Sequence, residues 1–155
     1  MSSALVTIEN LNKSYGRGPV LQSLNLTVNS GRIVGVMGPN GCGKTTLFKI
    51  LTGLISDYQG TVTIDGQAPG VYTKSIVSYL PEKTYLSDWM RAKDALDMFR
   101  DFYADFDRQK AAEMLQRFRL DEKMKLKSMS KGMQEKLQLI LVMSRAAKLY
   151  ILDEP

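Results

Sequence analysis

The residues with the clearest chemical use stand together in Gly38-Pro39-Asn40-Gly41-Cys42-Gly43-Lys44-Thr45-Thr46. Gly38, Gly43, Lys44 and Thr45 have the spacing of a phosphate-binding loop. Glycines at 38, 41 and 43 let a backbone curl with its N–H groups directed inward, a concavity that suits phosphate oxygens. Lys44 adds a compact positive charge where the outer phosphates of a nucleoside triphosphate would lie. The Thr45 hydroxyl is placed to ligate the Mg²⁺ that accompanies them. A helix starting here would turn its positive end toward the same anion. Cys42 reads as a small spacer in the loop, not as a nucleophile.

Two further constellations lie later in the chain. Leu149-Tyr150-Ile151-Leu152-Asp153-Glu154-Pro155 reads as a buried strand ending in two carboxylates. Beside a phosphate loop, Asp153 can hold Mg²⁺, and Glu154 can orient or deprotonate an attacking water. Ser130-Lys131-Gly132-Met133-Gln134 precedes an apolar helix predicted over residues 135–147. Ser130 suits the N-cap. That helix is either a capped core helix or a second helix with its N-terminus facing a phosphate.

The elements that must position these residues follow from pattern. Residues 32–37, Arg-Ile-Val-Gly-Val-Met, predict a short buried strand feeding the loop, and Leu47, Phe48, Ile50, Leu51 and Leu54 recur at helical spacing after it. Residues 4–14 and 20–28 read as strands around a Tyr-Gly-Arg-Gly-Pro turn, giving an antiparallel layer ahead of the loop. Residues 61–65 and 75–80 predict two more strands. Ala95, Leu96, Met98, Phe99, Phe102 and Tyr103 fit one helix face, and Ala111, Ala112, Met114, Leu115 and Phe118 a second. The predicted organisation is α/β: a β-layer and phosphate-loop core over about 1–87, a helical subdomain over 88–130, and a helix and strand over 131–155.

Composition bounds the alternatives. The chain has 155 residues, 44% of them hydrophobic and 24% charged, enough for one domain with a real core. No apolar run is long enough to cross a membrane, and the N-terminus lacks the pattern of a signal peptide. One cysteine permits no internal disulfide, which suggests a reducing, cytoplasmic setting. The net charge of +5 is spread along the chain rather than gathered, so a solvated surface is expected and direct nucleic-acid binding is not.

Taken together, these motifs resemble the nucleotide-binding domain of ABC transporters. Residues 38–46 match its Walker A loop and 149–153 its Walker B strand. Glu154 matches its catalytic glutamate. Residues 129–134 resemble a variant of the LSGGQ signature, with Lys131 and Met133 in place of the usual Gly and Gln. Tyr15 falls where the family stacks an aromatic on adenine. The resemblance implies ATP and Mg²⁺, with Lys44 and Glu154 in catalysis and Thr45, Glu82 and Asp153 around the metal. It implies head-to-tail pairing with a second ATPase subunit, so that Ser130 and Gly132 reach the γ-phosphate in trans. It also implies a membrane permease partner and a place on the cytoplasmic face of the membrane. The Ser-Lys-Gly-Met form is most similar to two-component bacterial exporters. A soluble ABC ATPase acting on ribosomes or DNA is the alternative.

Three departures bear on activity. The signature is altered. Glu82 stands where the family has its Q-loop glutamine, adding negative charge near the phosphates. The chain has no histidine, whereas the family carries a switch histidine after Walker B. A fragment that binds nucleotide but is catalytically incomplete, with a gap in its central parallel sheet, is therefore expected.

Overall fold

A computed structural model describes residues 3–39, 41–84 and 86–153. The chain divides into two compact units, Met1–Val77 and Ser78–Pro155.

The first unit is built on a three-stranded antiparallel sheet. β1 (Ala4–Tyr15) lies between β2 (Gly18–Asn29) and β3 (Gln59–Ile64). β1 and β3 bury Leu5, Val6, Ile8, Leu11, Val62 and Ile64, with alternation holding over Val6–Ile8 and Val62–Ile64. The ladder slips between Ile8 and Leu11, where Asn10 takes a positive φ of 50°. Asparagine side chains repair it: Asn10 N–H donates to Asn25 Oδ1 at 3.0 Å and Ser23 N–H to Asn12 Oδ1 at 2.9 Å. Asparagine suits this position because its short polar side chain tolerates the left-handed region. Helix α1 (Lys44–Leu51) follows the phosphate loop and buries Leu47, Ile50 and Leu51. A short helix α2 (Val71–Ile76) ends the unit.

β4 (Val77–Leu80), all but its first residue in the second unit, pairs with β5 (Leu149–Leu152) in a two-stranded parallel sheet. Between them run α3 (Ala92–Phe102), α4 (Arg108–Arg117), a 3-10 turn (Leu126–Ser128) and α5 (Lys131–Met143). Their apolar faces form one core that includes Leu96, Phe99, Leu115, Leu126, Leu137 and Ile140. Each such side chain contributes about 1.5–3 kcal/mol on burial. At one end of the core, Arg145 is 3% exposed and grips Asp105 in a fork, Nε to Oδ1 at 2.9 Å and Nη2 to Oδ2 at 3.2 Å. The guanidinium also stacks 3.9 Å from the centroid of the Tyr103 ring. Asp107 N–H donates to Ser144 O and Ala146 N–H to Asp105 O, so the α3–α4 loop is sewn to the end of α5.

Five expectations need correction. Residues 32–39 form no strand; among the described residues they pair with no ladder, and Ile33 and Met37 are 103% and 89% exposed. An apolar run becomes a strand only where backbone partners take up its N–H and C=O groups. The strand expected over 75–80 starts at Val77, because Ser75 and Ile76 finish α2, whose start is held by Thr73 Oγ1 accepting from Gly70 N–H at 2.7 Å. Helix α5 begins at Lys131 and ends at Met143, not at residues 135 and 147, because Ser130 caps it and the Asp105–Arg145 region stops it. β5 is buried only at Ile151, with Tyr150 and Leu152 exposed, and Phe102 and Phe118 turn away from the helical core.

Two substitutions test this packing. Gly60 has φ 104°, and a Cβ there would lie 2.3 Å from Asn10 O. Gly60→Ala should lower stability by at least about 2 kcal/mol, read from the urea midpoint; an unchanged midpoint would show that β3 does not approach the Asn10 bulge so closely. Arg145→Ala, which leaves Asp105 unpaired, should cost about 3 kcal/mol, and a loss below about 1 kcal/mol would class the pair with ordinary surface ion pairs.

Candidate functional site

In the first unit the phosphate loop closes on itself through small residues. Gly41 and Gly43 have φ of 82° and 102°, both in the region that side chains disfavour. Cys42 N–H donates to Pro39 O at 3.3 Å, and a Cβ on Gly38 would meet Cys42 Sγ at 2.6 Å. Lys44 Nζ donates to Gly38 O at 2.7 Å, folding the ammonium over the loop. Gly43 is the N-cap of α1 and brings no capping side chain to its first turn, as an anion-binding helix start requires. Thr45 and Thr46 follow in that turn, partly buried.

The loop is also tied to the β-layer. A Cβ on Gly43 would lie 3.0 Å from the Val20 and Leu21 side chains and 3.0 Å from Val20 O. Val20 and Leu21 open β2 just after the turn that carries Tyr15, and Leu21 is the register partner of Lys13. Tyr15, half-exposed, therefore stands at the hairpin end nearest the loop. Beneath its ring lies the Lys13 ammonium, 4.9 Å from the centroid. Lys13 was missed in the sequence; its place two residues before Tyr15 on a strand was the available signal.

In the second unit, Asp153 closes β5 and is 2% exposed. Its N–H donates to Leu80 O at 2.9 Å. Tyr79, on neighbouring β4, directs its hydroxyl to Asp153 Oδ2 at 3.5 Å. Burial, then the Asp153 carboxylate, then Glu82 push the Tyr79 hydroxyl up to about 12, so it stays protonated and able to donate. Tyr79 lies in the strand predicted over 75–80, which by itself gives no sign of this contact. Glu154 and Asn40 lie outside the described residues.

Ser130 caps α5 through Oγ, which accepts from Met133 N–H at 3.1 Å. Lys131 and Gly132 are exposed, and open space surrounds the position of a Cβ on Gly132. Gly132 is thus not required by the chain's own packing and leaves room for an approaching group. Gln134 turns back, Nε2 to Leu126 O at 2.9 Å, and fixes the 3-10 turn to the helix. Met133 packs on the helical core.

Each unit carries groups of a kind that a magnesium nucleotide uses. Among the described residues no three His, Cys, Asp or Glu side chains form a metal cage. Mg²⁺ does not need one: it keeps several waters and takes one or two protein oxygens beside phosphate oxygens. In the first unit, Thr45 offers such an oxygen at the start of α1, beside the glycine-lined loop; in the second, Asp153 offers a carboxylate just past β5.

The raised Tyr79 pKa fixes a sign. Between about pH 10 and 12 the folded chain holds a proton that the unfolded chain releases, so stability falls as pH rises through that window. Comparison of metal-free wild type with Tyr79→Phe should show a shallower loss in the variant; parallel curves would contradict the raised Tyr79 pKa.

Known proteins supply the family. The ABC transporter family model matches residues 21–155. The lipopolysaccharide export system ATP-binding protein LptB of Haemophilus influenzae is 31% identical over 98% of this chain and 68% of its own length. The aliphatic sulfonates import ATP-binding protein SsuB of Bacillus licheniformis is 32% identical over 92% of this chain and 58% of its own. The chain spans 52%, about half, of the length of other curated relatives it matches. A solved ATP-binding subunit of an ABC transporter superposes with a TM-score of 0.86 at 25% identity, over 96% of this chain and 65% of that one. The ordered motifs, the α/β architecture and the family match agree: this chain belongs to the ABC transporter family of ATP-binding proteins.

Proposed function

We propose that the chain binds Mg²⁺·ATP at residues 38–46 and forms part of the ATP-hydrolysing subunit of an ABC transporter. The observation that carries this reading is the glycine-lined loop with Lys44 folded over it, continuous with the N-terminus of α1. In this reading the loop amides and Lys44 hold the phosphates, Thr45 and Asp153 hold magnesium, and Tyr15 stacks on the base. Bound magnesium would draw charge from the β- and γ-phosphates. Glu154 would orient water or take its proton.

Head-to-tail pairing with a second ATPase subunit extends the same chemistry. The cap of α5 presents an exposed Ser130 and an open Gly132, features that suit a γ-phosphate arriving from another chain. A transmembrane permease would convert closing and opening of the pair into transport, with the subunit held at the cytoplasmic face of the membrane. Export is the direction we infer, from the Ser-Lys-Gly-Met signature. Relatives named for import and for export match at nearly equal identity, so the signature alone supports the direction. Glu82 would join the magnesium site as a carboxylate in place of an amide, and Glu82→Gln tests whether its charge matters there.

Calorimetric titration of the full chain with Mg²⁺·ATP tests the first step. Lys44→Ala should weaken binding at least tenfold, roughly the 1.4 kcal/mol or more that a charge-assisted phosphate contact supplies. Equal affinity of wild type and variant would remove the loop from the site.

A further inference from the structure

The hairpin end beside the loop carries an arrangement that phosphate binding does not explain. Lys13 is 8% exposed, an unusual position for a lysine, and its ammonium has two neighbours. One is Asp57 Oδ2 at 3.4 Å, on a side chain fully open to solvent. The other is the Tyr15 ring, whose centroid lies 4.9 Å away. An exposed carboxylate holds an ammonium only weakly. The ring is the more specific contact, because a cation over an aromatic face is attracted by the negative face of the π-system. Tyr15 remains 47% exposed, as a ring with one face covered would be.

The same lysine belongs to the strand position that meets the loop. Lys13 pairs with Leu21 across the hairpin, and Leu21 fills the space beside Gly43. Backbone pairing thus fixes Lys13 against the loop, and its ammonium fixes the ring. We propose that Lys13 is a positioning residue of the nucleotide site: it holds the Tyr15 ring from one face so that the opposite face receives the purine base. Its ammonium is spent on the ring and on Asp57, so it acts on the base through Tyr15 and makes no phosphate contact. The inference rests on the proposed stacking of Tyr15 and identifies what sets the angle of that ring.

The test compares two ligands on the full chain, Mg²⁺·ATP and inorganic tripolyphosphate, which has the phosphates and no base. Lys13→Met keeps the length of the side chain and removes the charge. It should weaken ATP about two- to tenfold and leave tripolyphosphate affinity unchanged. Lys13→Arg keeps a cation over the ring and should restore ATP affinity. In a Tyr15→Ala background, Lys13→Met should produce no further loss, because the lysine acts through the ring. Equal losses for both ligands, an unaffected ATP affinity, or an undiminished effect without Tyr15 would each overturn the proposal. A wild-type chain that binds tripolyphosphate but gains nothing from the base would instead defeat the stacking by Tyr15, and one that binds neither ligand would defeat the proposed function.

Discussion

One missing methyl group sets the arrangement of the first unit. Gly43 lies against Val20 and Leu21 so closely that any Cβ would need the β2 backbone to give way. It is also the left-handed cap from which α1 starts. A single position thus joins three parts: the glycine-lined loop, the helix that starts from it, and the hairpin that brings Tyr15 and Lys13 alongside. The neighbouring lysine can fold over the loop because the backbone before it has turned back at Gly41 and Gly43.

The second unit solves a different problem, that of presenting polar groups at the ends of elements packed on an apolar core. α5 enters with Ser130 as cap and leaves into the Arg145–Asp105 fork, so the helix is held at both ends by hydrogen bonds while its middle is buried. The strand that follows is anchored by Tyr150, whose hydroxyl donates to Arg145 O. Asp153 is thereby held at a fixed remove from the end of α5, under the Tyr79 hydroxyl. A carboxylate this deeply buried is costly unless something compensates its charge, and a protonated phenol supplies part of that compensation.

The loop, the N-cap of α5, the antiparallel layer and the strand before Asp153 were legible because each is specified locally, by glycine spacing, a capping serine or alternation. β1 could be read from Val6, Ile8 and Leu11 alone. What was not legible depends on neighbours distant in sequence. Residues 32–37 carry the composition of a buried strand, but strand formation is a property of a ladder, and no described strand pairs with them. Tyr79 stands within the strand predicted over 75–80; its role arises from Asp153, 74 residues further along the chain. For Lys13 the spacing to Tyr15 is local, but its burial and its contact with Asp57 depend on the folded hairpin and on a residue distant in sequence. Phe102 fits the helical face by spacing but, at the last residue of α3, is exposed, while Tyr103 and Phe106 after it turn to the core.

Hydrogen–deuterium exchange of the full chain, with and without Mg²⁺·ATP, tests the central claim most directly: that the loop and the hairpin end form one nucleotide site joined at Gly43. Nucleotide should slow exchange together at amides of residues 38–46 and of 13–21, in the same concentration range. Protection of the loop with no change at the hairpin, or protection confined to other parts of the chain, would contradict it.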